Sequence, residues 1–144
     1  MRFMLIIQSD PSVPPPAPEP RVFEAMGQFN EALVKAGVLL AGEGLYPTGT
    51  RIRFSGGQRT ITDGPFSESK EVIAGFWMLQ VASKEEALSW ALRVPGASGE
   101  FAHLGPFLLE IRQVVETEDL AGIAPPEVIE KEFELRRQLR DAST

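Results

Sequence analysis

The stretch "VIAGFWMLQV" at residues 72–81 decides the fold, because it is apolar on both of the faces that a β-strand presents. Successive side chains of a strand point to opposite faces, so a strand with one solvated face would alternate apolar and polar residues. We therefore predict a central strand that is covered on both sides, and a second subunit can supply one of the covers. Phe76 and Trp77 point in opposite directions, so one belongs to the core and the other lines a pocket or an interface.

The segments that precede this strand follow strand and helix patterns in turn. The opening "MRFMLIIQSD" at 1–10 is typical of a buried strand. A helix is predicted next, ending at Gly37, and 38–41 forms a second strand. The segment "GEGLYPTG" at 42–49 is predicted to turn the chain, since glycine and proline favour turns. The helix is indicated by apolar residues at three- and four-residue spacing: Val22, Met26, Phe29 and Leu33.

A β-hairpin is predicted between the second strand and the central strand. Residues 51–54 and 59–62 alternate in polarity around "SGGQ" at 55–58, whose glycines can adopt the positive φ of a tight turn. Arg51 and Arg53 lie on the same side of their strand because side chains alternate. They are suited to hold an anionic ligand, and a solvated polar edge explains them equally well.

Two further helices and a strand complete the chain. Ser83 and Glu86 form a capping box that opens a second helix, which stops at 95–96. A strand follows at 108–115, and a charged helix is predicted from 125 to about 140. The apolar face of the second helix is predicted to consist of Ala87, Leu88, Ala91 and Leu92.

This order of elements predicts an α+β protein with a ferredoxin-like βαββαβ antiparallel sheet, an inserted β-hairpin and a C-terminal helix. Two helices cover one face of the sheet and leave the other bare, so we expect two sheets to meet face to face in a homodimer. We assign residues 1–118 to the ferredoxin-like domain. We assign 119–144 to a helical extension packed on the domain or on its dimer partner.

Composition excludes several classes of partner. The formal charge of −6 and the lack of a basic cluster argue against nucleic acid and against anionic membranes. The apolar run at the N-terminus is too short for a membrane span. The chain has no cysteine, so it needs no oxidising compartment, and we expect a cytoplasmic location.

Candidate catalytic residues are few. We expect no metal and no cofactor, because the chain has one histidine and no phosphate-binding or dinucleotide motif. That histidine, His103, is suited to act as a general base, but an ordinary surface histidine explains it more simply. Asp63, Gly64 and Pro65 have two interpretations. An aspartate can accept amide hydrogens within a turn, or it can serve as an acid or base.

The tetrapeptide "DGPF" at 63–66 sits in a long run, 36–95, whose ordered motifs resemble the DGPF subgroup of the YCII-related family. The opening ten residues, the strand at 110–114 and "ETED" at 116–119 resemble the same subgroup. The resemblance implies a ferredoxin-like, dimeric α/β-barrel. Family members are largely uncharacterised. Some YCII-type proteins are discussed as enzymes with a histidine–aspartate pair, and some DGPF proteins are encoded beside extracytoplasmic-function sigma factors.

Two functions of different classes follow. In the first, the chain is a small-molecule enzyme in which Asp63 acts as acid or base in a cleft. In the second, the same cleft binds a small ligand or a regulatory partner without turnover. The residues expected to bind the ligand are Gly64, Pro65, Phe66, Arg51, Arg53, Trp77 and His103.

Overall fold

The chain is a mixed α+β protein with antiparallel sheets. A computed structural model of it describes residues 1–14, 17–66, 69, 71–96 and 99–144. They form two compact units, Met1–Gln113 and Val114–Thr144. The first unit contains β1 (Arg2–Ser9), α1 (Pro20–Lys35), β2 (Leu39–Gly44), β3 (Thr50–Ser55), β4 (Gln58–Asp63), β5 (Val72–Gln80), α2 (Lys84–Ala91), a 3-10 helix (Gly99–Leu104) and β6 (Leu108–Gln113). The second contains a 3-10 helix (Thr117–Leu120) and α3 (Pro126–Ala142).

Four strands form the main sheet in the order β2-β5-β1-β6, and each neighbouring pair is antiparallel. The predicted central position of β5 is confirmed, since β5 is hydrogen-bonded to β2 on one side and to β1 on the other. Strands β3 and β4 form a separate two-stranded sheet. Over the part of the chain that the structure describes, the main sheet stays open and does not close into a barrel.

The core lies on one face of the main sheet. Cross-strand pairing places Phe3 opposite Leu79 and Leu5 opposite Trp77, and directly paired side chains project to the same face. Phe29 of α1 packs edge-on against Trp77, with ring centroids 5.3 Å apart and planes at 85°. Both α1 and α2 contribute side chains to this cluster, so the two helices share one face of the sheet.

The apolar face of α2 differs from the predicted one. Ala87 and Ala91 are buried as expected, but Leu88 is 46% exposed and Leu92 is 79% exposed. Trp90 packs against the core instead. The alanines satisfy the helical spacing on their own, and their small side chains let the helix approach the sheet closely.

Strand β2 is longer than predicted. It continues through Gly42 to Gly44, where the sequence predicts a turn, and the chain leaves the sheet only after that residue. Within this strand residue 42 has a steric reason to be a glycine, because a Cβ atom there would lie 2.9 Å from Cδ1 of Trp77. The glycine therefore gives room to a side chain of β5 and does not mark a turn.

The hairpin and the C-terminal helix form as predicted. Gly56 and Gly57 make the turn between β3 and β4 with φ of 59° and 74°. Helix α3 begins at Pro126, and none of its residues is buried. Among the described residues, no helix is long and apolar enough to cross a membrane.

A matched pair of leucine truncations tests this packing. Leu79→Ala, which empties a fully buried position, should lower the free energy of unfolding by about 2–5 kcal/mol. Leu92→Ala should change it by less than about 0.5 kcal/mol, since that side chain is exposed. Urea unfolding followed by tryptophan fluorescence reports on the first unit, which holds both Trp77 and Trp90. Equal losses in the two variants would contradict the assigned faces of β5 and α2.

Candidate functional site

The first unit contains a cavity of about 200 Å³ between α1 and the edge of the main sheet. One wall comes from α1, and the others come from β1, β2 and β5. The lining residues are Ile7, Met26, Asn30, Gly42, Glu43, Gly44, Ala74, Gly75, Phe76 and Trp77.

Glycines on the paired strands β2 and β5 shape this cavity. Gly42 is paired with Trp77 and Gly44 with Gly75, so all four residues project to the face that carries α1. The indole of Trp77 occupies the space above Gly42. At Gly44, by contrast, a Cβ atom would meet nothing within 4 Å. The cavity therefore lies where the sheet lacks side chains.

Trp77 and Asn30 define the polar part of the cavity wall. Trp77 is 5% exposed, and its Nε1–H donates a hydrogen bond of 2.8 Å to Oδ1 of Asn30. An indole N–H can only donate, so the amide oxygen must be the atom that faces Trp77. The NH2 group of Asn30 is thereby left to donate, and within the described part of the chain no acceptor takes it.

The chemistry of this cavity suits a small molecule with a hydrogen-bond acceptor. Its volume corresponds to about seven water molecules, which is below the range of roughly 300–1,000 Å³ typical of drug-sized ligands. The wall is about half polar and half apolar, and Ile7, Met26 and the indole of Trp77 supply apolar side chains. The amide of Asn30 can fix the orientation of an oxygen atom in such surroundings.

Asp63 lies elsewhere, at the end of β4. It is exposed, and its Oδ1 accepts a hydrogen bond of 2.6 Å from the hydroxyl of Thr50 on the paired strand. It is not among the residues that line the cavity. The carboxylate is thus held on one side by Thr50 and is open to solvent.

The rest of the tetrapeptide packs tightly beside Asp63. Phe66 is buried, and the guanidinium of Arg51 lies over its ring at 3.7 Å from the centroid. The Gly64 N–H donates to the carbonyl of Gly49 at 2.7 Å, and a Cβ atom at Gly64 would meet that oxygen at 3.1 Å. The peptide bond from Gly64 to Pro65 is cis. Arg51 therefore contacts the tetrapeptide through the ring of Phe66.

Arg53, which the sequence placed on the same side of β3 as Arg51, is exposed, and its cross-strand neighbour is Thr60. Trp77, predicted to serve either the core or a pocket, does both, since it is buried in the core and lines the cavity.

His103 has a partner that sequence reasoning did not identify. Its Nε2 lies 2.6 Å from Oε1 of Glu19, in the segment that leads into α1. Nearby, Arg21 forms an ion pair with Glu100 at 3.2 Å. Hydrogen bonds to Glu24 and to Glu100 raise the pKa of Arg21. These contacts tie the first 3-10 helix to the start of α1.

Asn30 is a candidate ligand-binding residue that no sequence pattern indicates. It follows Phe29 directly, at the margin of the apolar stripe of α1, where a polar residue is expected to be solvated. Gly42 and Gly44 belong to a segment whose glycines and proline predict a turn. Among the described residues, no group of three or more histidines and carboxylates is placed to hold a metal ion.

Comparison with known proteins supplies the family. Residues 1–107 match the YCII-related domain, which is well over half of the chain. The chain belongs to the YCII-related family. This protein is also similar to the uncharacterised protein R00369 of Rhizobium meliloti (strain 1021), with 35% identity over 80 residues. That match covers 54% of this chain and 64% of the relative, so the chain spans less than two thirds of the relative's length.

Two glycine substitutions test the geometry of the cavity. Gly42→Ala should lower the free energy of unfolding by about 1–3 kcal/mol, because the added methyl group must displace the indole of Trp77. Gly44→Ala should leave stability unchanged or raise it by about 0.4–1 kcal/mol, because its methyl group enters open space and restricts the unfolded chain. Urea unfolding measures both. A loss at Gly44 as large as that at Gly42 would contradict the cavity.

Proposed function

We propose that this YCII-related protein binds a small molecule in the cavity between α1 and the paired strands β2 and β5. The observation that carries the proposal is the hydrogen bond from Trp77 to Asn30, which leaves amide N–H donors on the wall of a cavity of mixed polarity. Asn30 is half-buried, and a ligand oxygen that accepts from its amide gains a hydrogen bond in a partly enclosed site.

The ligand class follows from the size and polarity of the cavity. A compact molecule with both apolar and polar groups fits the volume and the mixed polarity of the wall. It carries a carbonyl, carboxylate or hydroxyl oxygen, since each of these accepts from the amide of Asn30.

A second candidate function is acid–base catalysis by Asp63, in a protein of the DGPF subgroup. The hydrogen bond from Thr50 orients one carboxylate oxygen and leaves the other free for proton transfer. Arg51, stacked on Phe66, and the neighbouring Arg53 supply positive charge for an anionic substrate. The alternative is a non-catalytic, regulatory module linked to a sigma-factor system, in which this loop only shapes a surface.

We further propose a ferredoxin-like topology and a cytoplasmic homodimer that forms through the sheet faces. The strand order and the placement of both helices on one face support this arrangement. The second face of β1 and β5 carries apolar side chains that would form the interface. They are the half-buried Met4, Phe76 and Met78, while Ile6 on the same face is already buried within the chain.

Asn30→Asp tests the ligand site without removing its scaffold. The aspartate still accepts from Trp77 but has no N–H to donate and adds a negative charge. Fragments that bear a carbonyl or carboxylate group should raise the melting temperature of the wild type, since they bind only the folded state. They should bind Asn30→Asp at least about tenfold more weakly.

Gln28→Glu is the matched control, because it makes the same amide-to-acid change at an exposed position of α1. Fragments should bind it as they bind the wild type. Equal affinity for Asn30→Asp and the wild type would show that the ligand does not use this cavity.

Asp63→Asn separates catalysis from binding. The asparagine oxygen can still accept from Thr50, but the side chain cannot act as acid or base. Any consumption of a bound fragment, followed by mass spectrometry, should fall at least about 100-fold while its affinity is kept. Asp10→Asn is the control, since Asp10 is also exposed and hydrogen-bonded, to Ser12. Undiminished consumption by Asp63→Asn would exclude catalysis by this residue.

A further inference from the structure

The β3–β4 hairpin is exposed along its whole length. Every residue of both strands is exposed, and the two strands pair with each other in a sheet of their own. A two-stranded ribbon without further packing is only marginally stable in water. Apart from the contact of Arg51 with Phe66, the described residues give the hairpin no cover that would stabilise it.

One face of this hairpin is apolar. Ile52 and Ile61 are directly paired, and Phe54 lies two residues along β3 on the same side. They are 53%, 69% and 69% exposed, respectively. The guanidinium of Arg59, paired with Phe54, lies 5.4 Å from its ring centroid and borders the patch. Three large apolar side chains exposed together are typical of an interaction surface.

The charge of the hairpin is opposite to that of the remaining chain. Between residues 50 and 63 it carries three arginines and one aspartate, so it contributes +2 to a chain whose formal charge is −6. The rest of the chain therefore carries −8. A basic, apolar surface favours an acidic partner, and another copy of this chain offers such a surface.

We propose that the hairpin is an arm that packs its Ile52, Phe54 and Ile61 face against a second copy of this chain. The contact buries the exposed apolar patch and places Arg59 next to the acidic body of the other copy. It is a different surface from the sheet face, and it does not depend on the proposed ligand site. Because the arm ends at Asp63, docking would also restrain the loop that holds the tetrapeptide.

The first test is self-association measured by analytical ultracentrifugation. The double variant Ile52→Thr, Ile61→Thr keeps β-branched side chains but removes most of the apolar patch. It should raise the dissociation constant of the self-associated form at least about tenfold. Val34→Thr, at an exposed position of α1, is the matched control and should leave that constant unchanged. Unchanged self-association of the double variant, or a wild type that stays monomeric, would overturn the proposal.

The second test locates the contact by crosslinking. The chain has no cysteine, so Phe54→Cys can carry a single benzophenone label in the patch, and Leu92→Cys carries it at an exposed control position. In a mixture of chains with ordinary and heavy nitrogen, irradiation should join two different chains through position 54 and not through position 92. If the chains associate but position 54 yields only adducts within one chain, the arm is excluded. That outcome would leave the proposals of a sheet-face dimer and of a ligand site unaffected.

Discussion

The first unit depends on how the chain accommodates the indole of Trp77. The ring is buried on the central strand, edge-on to Phe29 and directly above Gly42. Burying its N–H without an acceptor would cost about 1–3 kcal/mol, so the hydrogen bond to Asn30 is required. One large side chain thus constrains an amide on α1 and a glycine on β2, and it fixes how the helix and the edge strand meet.

The cavity follows from the same constraint. Beyond the indole, Gly44 and Gly75 are paired and neither has a side chain to fill the space beneath α1. The amide that accepts from Trp77 keeps its N–H groups for the cavity side. Packing and binding chemistry are therefore coupled, because the bond that stabilises the core also orients the donor. Asp63, by contrast, belongs to the hairpin and its loop, so the protein has two separate candidate sites.

Much of the fold can be predicted from short-range patterns, whereas the site depends on distant partners. The apolar residues on both faces of β5 predict a central strand, and the adjacent Gly56 and Gly57 predict a tight turn. On α2 the spacing fits leucines and alanines alike, so it cannot reveal that the alanines and Trp90 pack on the sheet while Leu92 is exposed. The sequence around Gly42 predicts a turn, and only the contact with Trp77 explains the glycine. His103 and Glu19 are 84 residues apart, and no local pattern pairs them.

Membership of the YCII-related family agrees with the α+β architecture. The binding chemistry is inferred from the residues of the site. The central claim is that a ligand occupies the cavity beside Trp77 and Asn30. Nitrogen–proton correlation NMR tests it directly, because the chain has only two indole N–H groups. Titration with a small carboxylate or carbonyl compound should shift the indole signal of Trp77 and the side-chain amide of Asn30, while the indole signal of Trp90 stays in place. Binding that shifts neither Trp77 nor Asn30 would contradict this account.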